Sequence, residues 1–481
     1  MNKIKIPVIL QKMNNIFEKN GFKAYLVGGA VRDMFMNKEA SDWDVATDAT
    51  PEQVISAFKK VIPTGIAHGT VTVHFMGEEI EVTTFRIEQG YSDGRHPDKV
   101  LYASDIEEDL SRRDFTMNAI AVSLKDGSIV DPFNGKADIK NKVIRSVGNP
   151  LERFNEDGLR PIRAIRFASQ LGFEIETNTL QAISNEKVLQ KTSTISIERF
   201  RDELVKLLKS PKPSVGLKLL ESTNIMKLFL PELLEGRNCI QNDVRGYHVF
   251  DVLDHNFYSC DGAPVHKVNV RLAALLHDIG KPASKVVRVT DAGEIYNFFN
   301  HEKYSETIAR KLLTKLRFSN NEINNVCHLI ENHMFHYEES WSDAAIRRFI
   351  VRVKPENIED LIDLRLADMY GKYNMPIQIK ESNACDLLIQ LQDRIKKIQE
   401  ENSAFTLKSL AVSGKDLMEI GIPSGRLIGK ILDSLLETVL DDPKQNSKDV
   451  LLNIAKKFIW TNEIKKRLLL WKTNNSLLLN L

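Results

Sequence analysis

A chain of 481 residues is too long for one hydrophobic core, so two to four compact units are expected. Hydrophobic residues make up 42% and charged residues 27%, the ordinary balance of a soluble globular protein, and 66 Lys plus Arg face 65 Asp plus Glu. That balance excludes a global positive field, so a nucleic-acid partner must be held by local patches. The four cysteines (Cys239, Cys260, Cys327, Cys385) show no CxxC spacing. Their spread argues against a disulfide scaffold and a Cys-rich zinc site and fits a reducing, cytoplasmic compartment. No stretch reaches the roughly 18 apolar residues of a membrane span, so no membrane partner is expected.

In chain order, MNKIKIPVILQKMNNIFEKNG reads as an amphipathic helix rather than a signal peptide. Strand signals follow from residue 22 to about 145. AYLVGG is an apolar run ending in glycines, and TVTVHF and IEVTTF alternate on either side of MGEE, which predicts a hairpin. On a strand, Asp42-Trp43-Asp44 sends both carboxylates to one side and Trp43 and Val45 to the other. Adjacent acids repel unless a cation intervenes, and Mg²⁺ prefers such oxygen ligands. Two ions roughly 4 Å apart activate a hydroxyl and stabilise a leaving oxygen in phosphoryl transfer. Glu81, alternating against its apolar neighbours, is a candidate third carboxylate. Alone, a DxD sits most often on a solvated turn. Upstream, Gly28-Gly29-Ala30-Val31-Arg32-Asp33 follows a strand and opens a helix. Glycines there let backbone N–H groups approach phosphate oxygens, and Arg32 adds a charged fork, although a plain tight turn also uses Gly-Gly. Strand, Gly-Gly turn with Arg, and DxD together describe a triphosphate cradle beside a metal site.

GGAVRDMFMNKEASDWDVAT, then Arg112-Arg113-Asp114-Phe115-Thr116-Met117-Asn118-Ala119, then Asp131-Pro132-Phe133-Asn134-Gly135 run in order along the chain. With these segments the chain resembles the bacterial-type (class II) tRNA nucleotidyltransferases, a group that includes the bacterial poly(A) polymerases. The resemblance implies an α+β protein: a polymerase β-like nucleotidyltransferase head with a small mixed sheet, then an all-helical neck, body and tail. It implies that Asp42 and Asp44 hold catalytic Mg²⁺ and that Gly28, Gly29 and Arg32 handle the triphosphate. Arg112, Arg113 and Asp114, with Asn118 of the same motif, are implied to contact nucleotide phosphate and sugar. The implied reaction is template-independent addition of C, C and A to the 3′ end of tRNA from CTP and ATP. An A-only enzyme and a poly(A) polymerase use the same head and stay open as alternatives.

From about residue 146 the periodicity turns helical, with short breaks such as Ser210-Pro211-Lys212-Pro213. Glu156-Asp157-Gly158-Leu159-Arg160, followed by PIRAIRFASQLGF, predicts a helix on which Asp157 and Arg160 share a face, with Pro161 bending it. As an isolated pair they would form a surface ion pair worth about 0.2–0.5 kcal/mol. Chemically, a carboxylate accepts from the exocyclic amine of cytosine or adenine, and a guanidinium donates to the adjacent ring nitrogen. Uracil and guanine present an oxygen instead of the amine. The resemblance assigns Asp157 and Arg160 to nucleotide selection and counts Arg163 among the nucleotide-binding residues. Glu156 is expected to orient the pair, and Glu198-Arg199-Phe200-Arg201-Asp202-Glu203 to support the neck. Glu88–Asp105, with its YSDGRHP core, reads as a mobile loop or a simple connector. In the family such a loop is associated with the switch from C to A addition.

Histidines concentrate between 248 and 336. LAALLHDIGK predicts an apolar helix carrying adjacent His277 and Asp278 and ending at a Gly280 cap. With His255 before, His301 and His333 after, and Asp368 in LRLADMYGK, the pattern resembles the HD phosphohydrolase superfamily. His255, His277, Asp278 and Asp368 are then expected to bind a divalent transition metal that processes 3′ phosphates or cyclic ends, with His301 and His333 at a second position. A purely structural body is the other reading. A rival from a different class follows from it: an HD phosphohydrolase whose head only binds RNA.

LAVSGKDL and GIPSGRLIGK resemble the tail of the same nucleotidyltransferases, where Arg426 and Lys430 at a helix start would hold RNA phosphate. From Pro443 onward, eight Lys or Arg face two acids. Lys465, Lys466 and Arg467 join the expected tRNA grip, simple helix packing being the alternative. The expected division is a head over 1–145, a neck over 146–238, an HD-type body over 239–380 and a tail over 381–481. Oligomeric state is not encoded in any pattern found.

Overall fold

The computed structural model describes residues 4–40, 42–66, 69–89, 99–243, 245, 248–373, 383–401 and 409–457. By their contacts these fall into two compact units, Met1–Cys327 with Gly371–Asn374, and His328–Tyr370 with Met375–Leu481. That division is coarser than the fourfold one expected from sequence. No helix of the described residues is long and apolar enough to cross a membrane.

In the first unit, helix α1 (Val8–Lys19) precedes β1 (Ala24–Val27), α2 (Gly29–Phe35), β2 (Asp44–Thr47) and α3 (Pro51–Ala57). Strands β3 (Val61–Gly65), β4 (Thr70–Phe75) and β5 (Glu78–Thr84) follow, then a hairpin of β6 (Arg86–Gln89) and β7 (Lys99–Tyr102). Helix α4 (Ile106–Ser111), strands β8 (Ala121–Ser123) and β9 (Ile129–Val130), and helix α5 (Gly135–Asn141) complete the α+β part. Seven strands form one sheet in the order β3-β4-β5-β2-β1-β8-β9, antiparallel except for the β2–β5 pair.

The two-residue pleat sorts the side chains of this sheet. Leu26, Val45, Val71, Val73, Ile80 and Val82 share one face and are all buried. Val27, Ala46 and Ala121 share the other and form a core with Ile106 and Leu110 of α4. Asp44 and Glu81 stand on this second face, so the two carboxylates rise from the same side as a closed apolar core.

The neck begins with α6 (Pro150–Glu156) and α7 (Arg160–Leu171), followed by α8 (Thr177–Ile183), α9 (Glu186–Ser193), α10 (Ile197–Leu208) and α11 (Pro213–Ser222). The expected continuous helix through Asp157 and Arg160 is instead two helices. Asp157, with φ −131° and ψ 112°, ends α6 in extended backbone. Pro161 sits in the first turn of α7, where its missing N–H has no helical partner to lose. Three further departures occur. Val143–Ile144 pairs in parallel with Glu174–Ile175, a second antiparallel hairpin spans Lys285–Thr290 and Gly293–Phe298, and the ends of the Glu88–Asp105 segment are strand rather than loop. The intervening YSDGRHP lies outside the described residues.

The second unit is helical. Arg347 of helix Asp343–Val353 donates from Nε to the Leu440 carbonyl at 2.6 Å, and Arg348 pairs with Glu437 at 2.7 Å, tying that helix to Arg426–Asp441.

Gly135 opens α5 against the turn over Thr116–Asn118, and a Cβ there would lie 2.1 Å from the Thr116 carbonyl oxygen. Gly135→Ala should therefore lower stability by about 1–3 kcal/mol, read as an earlier first transition in urea unfolding. An unchanged transition would mean that this contact relaxes freely.

Candidate functional site

Strand β1 delivers the chain to Gly28, whose φ of 74° lies in the left-handed region that only glycine enters without strain. Space also demands glycine: a Cβ at Gly28 would sit 3.0 Å from Asp44 Oδ2 and 3.5 Å from Arg113 Nη1. The turn, the carboxylate and the guanidinium therefore converge at one point. Asp44 begins β2 opposite Glu81 of β5, and the Glu81 N–H donates to the Trp43 carbonyl at 3.2 Å. Asp42 precedes the strand in a bend, so strand alternation does not place it as expected. The bend does bring it close enough for its charge to act on Asp44. Burial, then Glu81, push the Asp44 carboxyl up to about 6, Arg113 opposes them, and Asp42 adds a smaller push. Hard carboxylates gathered in this way, with Arg113 alongside, are a donor set that fits divalent cations.

Around this group the arginines are held in fixed pairs. The buried Asp109 of α4 accepts from Arg112 at 2.7 and 2.9 Å and from Arg113 at 3.1 Å. Despite burial, those two guanidiniums hold its carboxyl below the usual range. Arg32 donates to Asn118 Oδ1 at 3.0 Å and pairs with Asp33 at 2.8 Å. Asn118 donates onward to Asp114 at 3.3 Å, and Asp114 accepts from Arg163 at 2.7 and 2.8 Å. Although burial opposes it, Arg163 draws the Asp114 carboxyl down to about 2. One hydrogen-bonded chain thus runs Arg32–Asn118–Asp114–Arg163 from the Gly-Gly helix into the neck. Phe167 stands beside it with the guanidiniums of Arg166, Arg32 and Arg163 at 4.0, 5.3 and 5.5 Å from its ring centre.

The Arg160 N–H donates to the Asp157 carbonyl at 3.1 Å, but their side chains are held by other partners. Asp157 accepts from Arg199 of α10 at 2.9 and 3.2 Å and from the Leu159 N–H at 2.9 Å. Arg160, only 7% exposed, donates to Glu156 at 2.5 Å and to the carbonyls of Arg153 and Arg112 at 2.9 and 3.1 Å. Glu156 orients Arg160 as expected, whereas the hold of Arg199 on Asp157 was not resolved by sequence. Its signal was present only as a charged helix face. Asp109 was legible at helix spacing from Arg112 and Arg113 and was missed.

In the histidine-bearing part, helix Val268–Leu276 stops before His277, so His277 and Asp278 occupy the turn after the helix rather than its interior. Gly280 has φ −85° and is no left-handed cap. It is glycine because a Cβ would lie 2.4 Å from the Ser305 nitrogen. His255 and His277 approach at 3.1 Å between Nε2 atoms, and each lies 3.3 Å from Asp278 Oδ2. His301 Nε2 is 3.2 Å from Asp278 Oδ1. Lys281, also unforeseen, places Nζ 2.6 Å from Asp278 and 2.8 Å from Gln241. Against full burial, His277 and Lys281 hold the Asp278 carboxyl well below its ordinary range. His277 and His301 each donate from Nδ1 to the carbonyl three residues earlier, at 2.9 and 2.8 Å, which turns the Nε2 edge of each ring toward Asp278. His333 and Asp368 belong to the second unit and are described with it. His333 Nδ1 donates to Ile330 at 2.7 Å by the same device, and Asp368 accepts from Arg365 at 2.7 Å.

Also in the second unit, Gly425 (φ 133°) leads into helix Arg426–Asp441, with Arg426 at its first position and Lys430 on the next turn, both exposed. Lys465, Lys466 and Arg467 lie outside the described residues.

Family models match three stretches: a poly(A) polymerase head domain over 24–145, an RNA- and SrmB-binding site of polymerase A over 172–236, and tRNA nucleotidyltransferase domain 2 over 290–455. A CCA-adding enzyme of Lactobacillus helveticus is 52% identical over 205 residues, 42% of this chain and 49% of that enzyme. The chain thus spans about half the length of the first curated relatives it matches. The CCA-adding enzyme of Levilactobacillus brevis is 34% identical over 440 residues, 90% of this chain and 94% of its own. Among solved structures, the Bacillus stearothermophilus CCA-adding enzyme in complex with CTP superimposes with a TM-score of 0.71 at 27% identity, covering 96% of this chain and all of that one.

The raised Asp44 carboxyl has a consequence for stability. Its folded value of about 6 exceeds the ordinary 3.8, so the folded chain keeps a proton that the unfolded chain has released. The contribution is full below about pH 4 and is lost as pH rises through about 6. In EDTA near pH 8, Asp44→Asn should therefore melt higher than the parent, by the equivalent of about 1–3 kcal/mol. That gain should vanish near pH 4. A variant that melts lower at the higher pH would contradict the crowding of carboxylates.

Proposed function

The chain belongs to the CCA-adding enzyme family, and on that premise we propose that it adds C, C and A to the 3′ end of tRNA from CTP and ATP without a template. The observation that carries the reading is Asp44 at the Gly28 turn, paired across strands with Glu81, with Arg113 alongside and the charge of Asp42 acting on Asp44. Asp42, Asp44 and Glu81 hold the divalent cations, and their hard oxygens favour magnesium. When bound, such ions supply the Lewis acidity that activates a hydroxyl and neutralises a leaving phosphate. Backbone N–H groups at Gly28 and Gly29, with Arg32 and Arg113, bind and orient the triphosphate. Arg112, Asp114, Asn118 and Arg163 fix the nucleotide-facing surface. The tRNA 3′ hydroxyl attacks the α-phosphorus, the bond to the bridging oxygen breaks, and pyrophosphate leaves.

Asp157 and Arg160 read the incoming base. Arg199 and the Leu159 N–H aim the Asp157 carboxylate, whose other lone pairs accept from the amine of cytosine or adenine. Glu156 and two backbone carbonyls occupy three of the five Arg160 N–H groups and leave donors for the ring nitrogen. Arg426 and Lys430 hold RNA phosphate at a helix start.

Incubating the chain and Mg²⁺ with tRNA transcripts ending before CCA, in C, or in CC tests the reading. Addition of C, C and one A, lost in Asp42→Ala/Asp44→Ala, is expected. Extension of only the CC-ended transcript would indicate an A-only enzyme, and long adenosine tails on unrelated RNA a poly(A) polymerase. Asp157→Asn, which trades an acceptor for a group that also donates, should narrow the CTP-over-UTP preference in kcat/KM by at least about tenfold. An unaltered preference would remove Asp157 from base selection.

The cluster of His255, His277, Asp278 and His301 favours a second activity. We infer that these side chains hold a divalent transition metal and that the site hydrolyses phosphate at RNA 3′ ends. Manganese- or nickel-stimulated release of a 3′ phosphate, lost in His277→Ala/Asp278→Ala while nucleotide addition continues, is expected. Phosphatase activity surviving in that variant would refute the assignment.

A further inference from the structure

The Asp131-Pro132-Phe133-Asn134-Gly135 segment builds one side of a cavity whose lining includes none of Gly28, Asp42, Asp44, Glu81 or Arg113. Asp131 accepts the N–H groups of Gly135 and Lys136 at 2.7 and 3.0 Å and so caps α5 at its start. Gly135 then packs the helix against Thr116. Fixed in this way, α5 sets Lys136, Ile139 and Lys140 along a cavity of about 700 Å³ that Phe35, Phe173 and Lys142 also line. The volume lies within the ~300–1,000 Å³ of small-molecule sites. Its chemistry is divided. Phe35, Ile139 and Phe173 supply an apolar wall with two phenyl rings, while three exposed lysines supply positive charge. Lys136 Nζ lies 5.6 Å from the centre of the Phe35 ring, so cation and aromatic surface are adjacent.

The position separates this cavity from the triphosphate cradle. Phe35 ends α2, whose first residue is Gly29, and seven residues of helix span about 10 Å. The C-terminal end of α2 carries partial negative charge, which by itself would repel an anion. The three lysines outweigh it. Asp131 also lines the cavity, its two oxygens each accepting one backbone N–H, and its single negative charge is outnumbered by the three lysines.

We propose that this cavity is a second nucleotide site, taking one nucleoside monophosphate with its base against Phe35 and Phe173 and its phosphate among Lys136, Lys140 and Lys142. Aromatic stacking tolerates any base, and ammonium groups hold phosphate as point charges, so the site recognises nucleotide chemistry rather than sequence. The nucleotide comes either from the RNA substrate or from the free pool.

The test uses the full chain, Lys136→Gln/Lys140→Gln, and the separate Phe35→Leu. AMP binding is measured by equilibrium dialysis in EDTA, and binding of a CC-ended tRNA transcript is measured across a KCl series. Thermal melts show which variants are folded, and Phe35→Leu probes the cavity through its apolar wall alone. The proposal expects both variants to lose binding. If the nucleotide is part of the RNA, the double variant weakens tRNA binding and flattens its dependence on log salt by about 0.7–0.9 per lysine. Phe35→Leu then weakens binding with the slope unchanged. If it is a free nucleotide, both variants bind one AMP fewer per chain and their tRNA binding is unaltered. Full retention of AMP stoichiometry, tRNA affinity and salt slope in folded variants would overturn the proposal. Nucleotide addition at saturating tRNA and NTP is read in parallel, so failure of this site is distinguishable from failure of the catalytic reading.

Discussion

Crowded negative charge at Asp44 is the constraint around which the first unit is organised. Burial and the charges of Glu81 and Asp42 all disfavour ionisation of its carboxyl, and Arg113 opposes them. Nearby acids have a different fate. Asp109 meets Arg112 and Arg113, Asp114 meets Arg163, Glu156 meets Arg160, Asp157 meets Arg199, and the buried Glu203 meets Arg166 at 2.5 Å. The fold therefore spends its arginines on the surrounding carboxylates and concentrates repulsion in one place. In a partly dry site such repulsion is relieved by a proton or by a cation.

The same arginine pairs couple the Gly28-Gly29 turn of the head to the Asp157–Arg160 segment of the neck. Arg32, Asn118, Asp114 and Arg163 form one polar chain, and Phe167 gathers three guanidiniums against a single ring. Each link is directional, so α7 cannot rotate against α2 without breaking several at once. Protein selection of a base without a template needs such rigidity. A carboxylate free to turn would accept from water as readily as from an amine, and discrimination between C and U would vanish. Arg199 supplies that rigidity for Asp157, and Glu156 with two carbonyls supplies it for Arg160.

Much was legible along the chain because the physics is local. The alternating valines of 70–75 and 78–84 predicted the hairpin, Gly28 had to be glycine in a strand-to-helix turn, and the helical period after 146 held through most of the neck. Histidine and aspartate at 277 and 278 pointed to a cluster even though the helix ends at Leu276, before both of them, rather than at Gly280 as expected. Errors fell where a neighbour distant in sequence decides. Gly280 looked like a cap and is a close contact with Ser305. Asp157 looked like a helical residue and lies in extended backbone held by an arginine 42 positions away.

The sequence by itself determined residue chemistry and period: most of the strand and helix segments, where the Gly-Gly turn and the closely spaced acids occur, and the order of motifs that marks the family. Tertiary structure alone decided partnership. Parallel pairing of β2 with β5 put Glu81 beside Asp44, α10 carried Arg199 to Asp157, and the packing of α5 against 116–118 opened a lysine-rimmed cavity far from the Gly-Gly turn. The physical reason is that propensity and alternation act over a few residues. Charge pairing, desolvation and close packing act through space, and in this chain they join residues as far apart as Asp157 and Arg199, 42 positions.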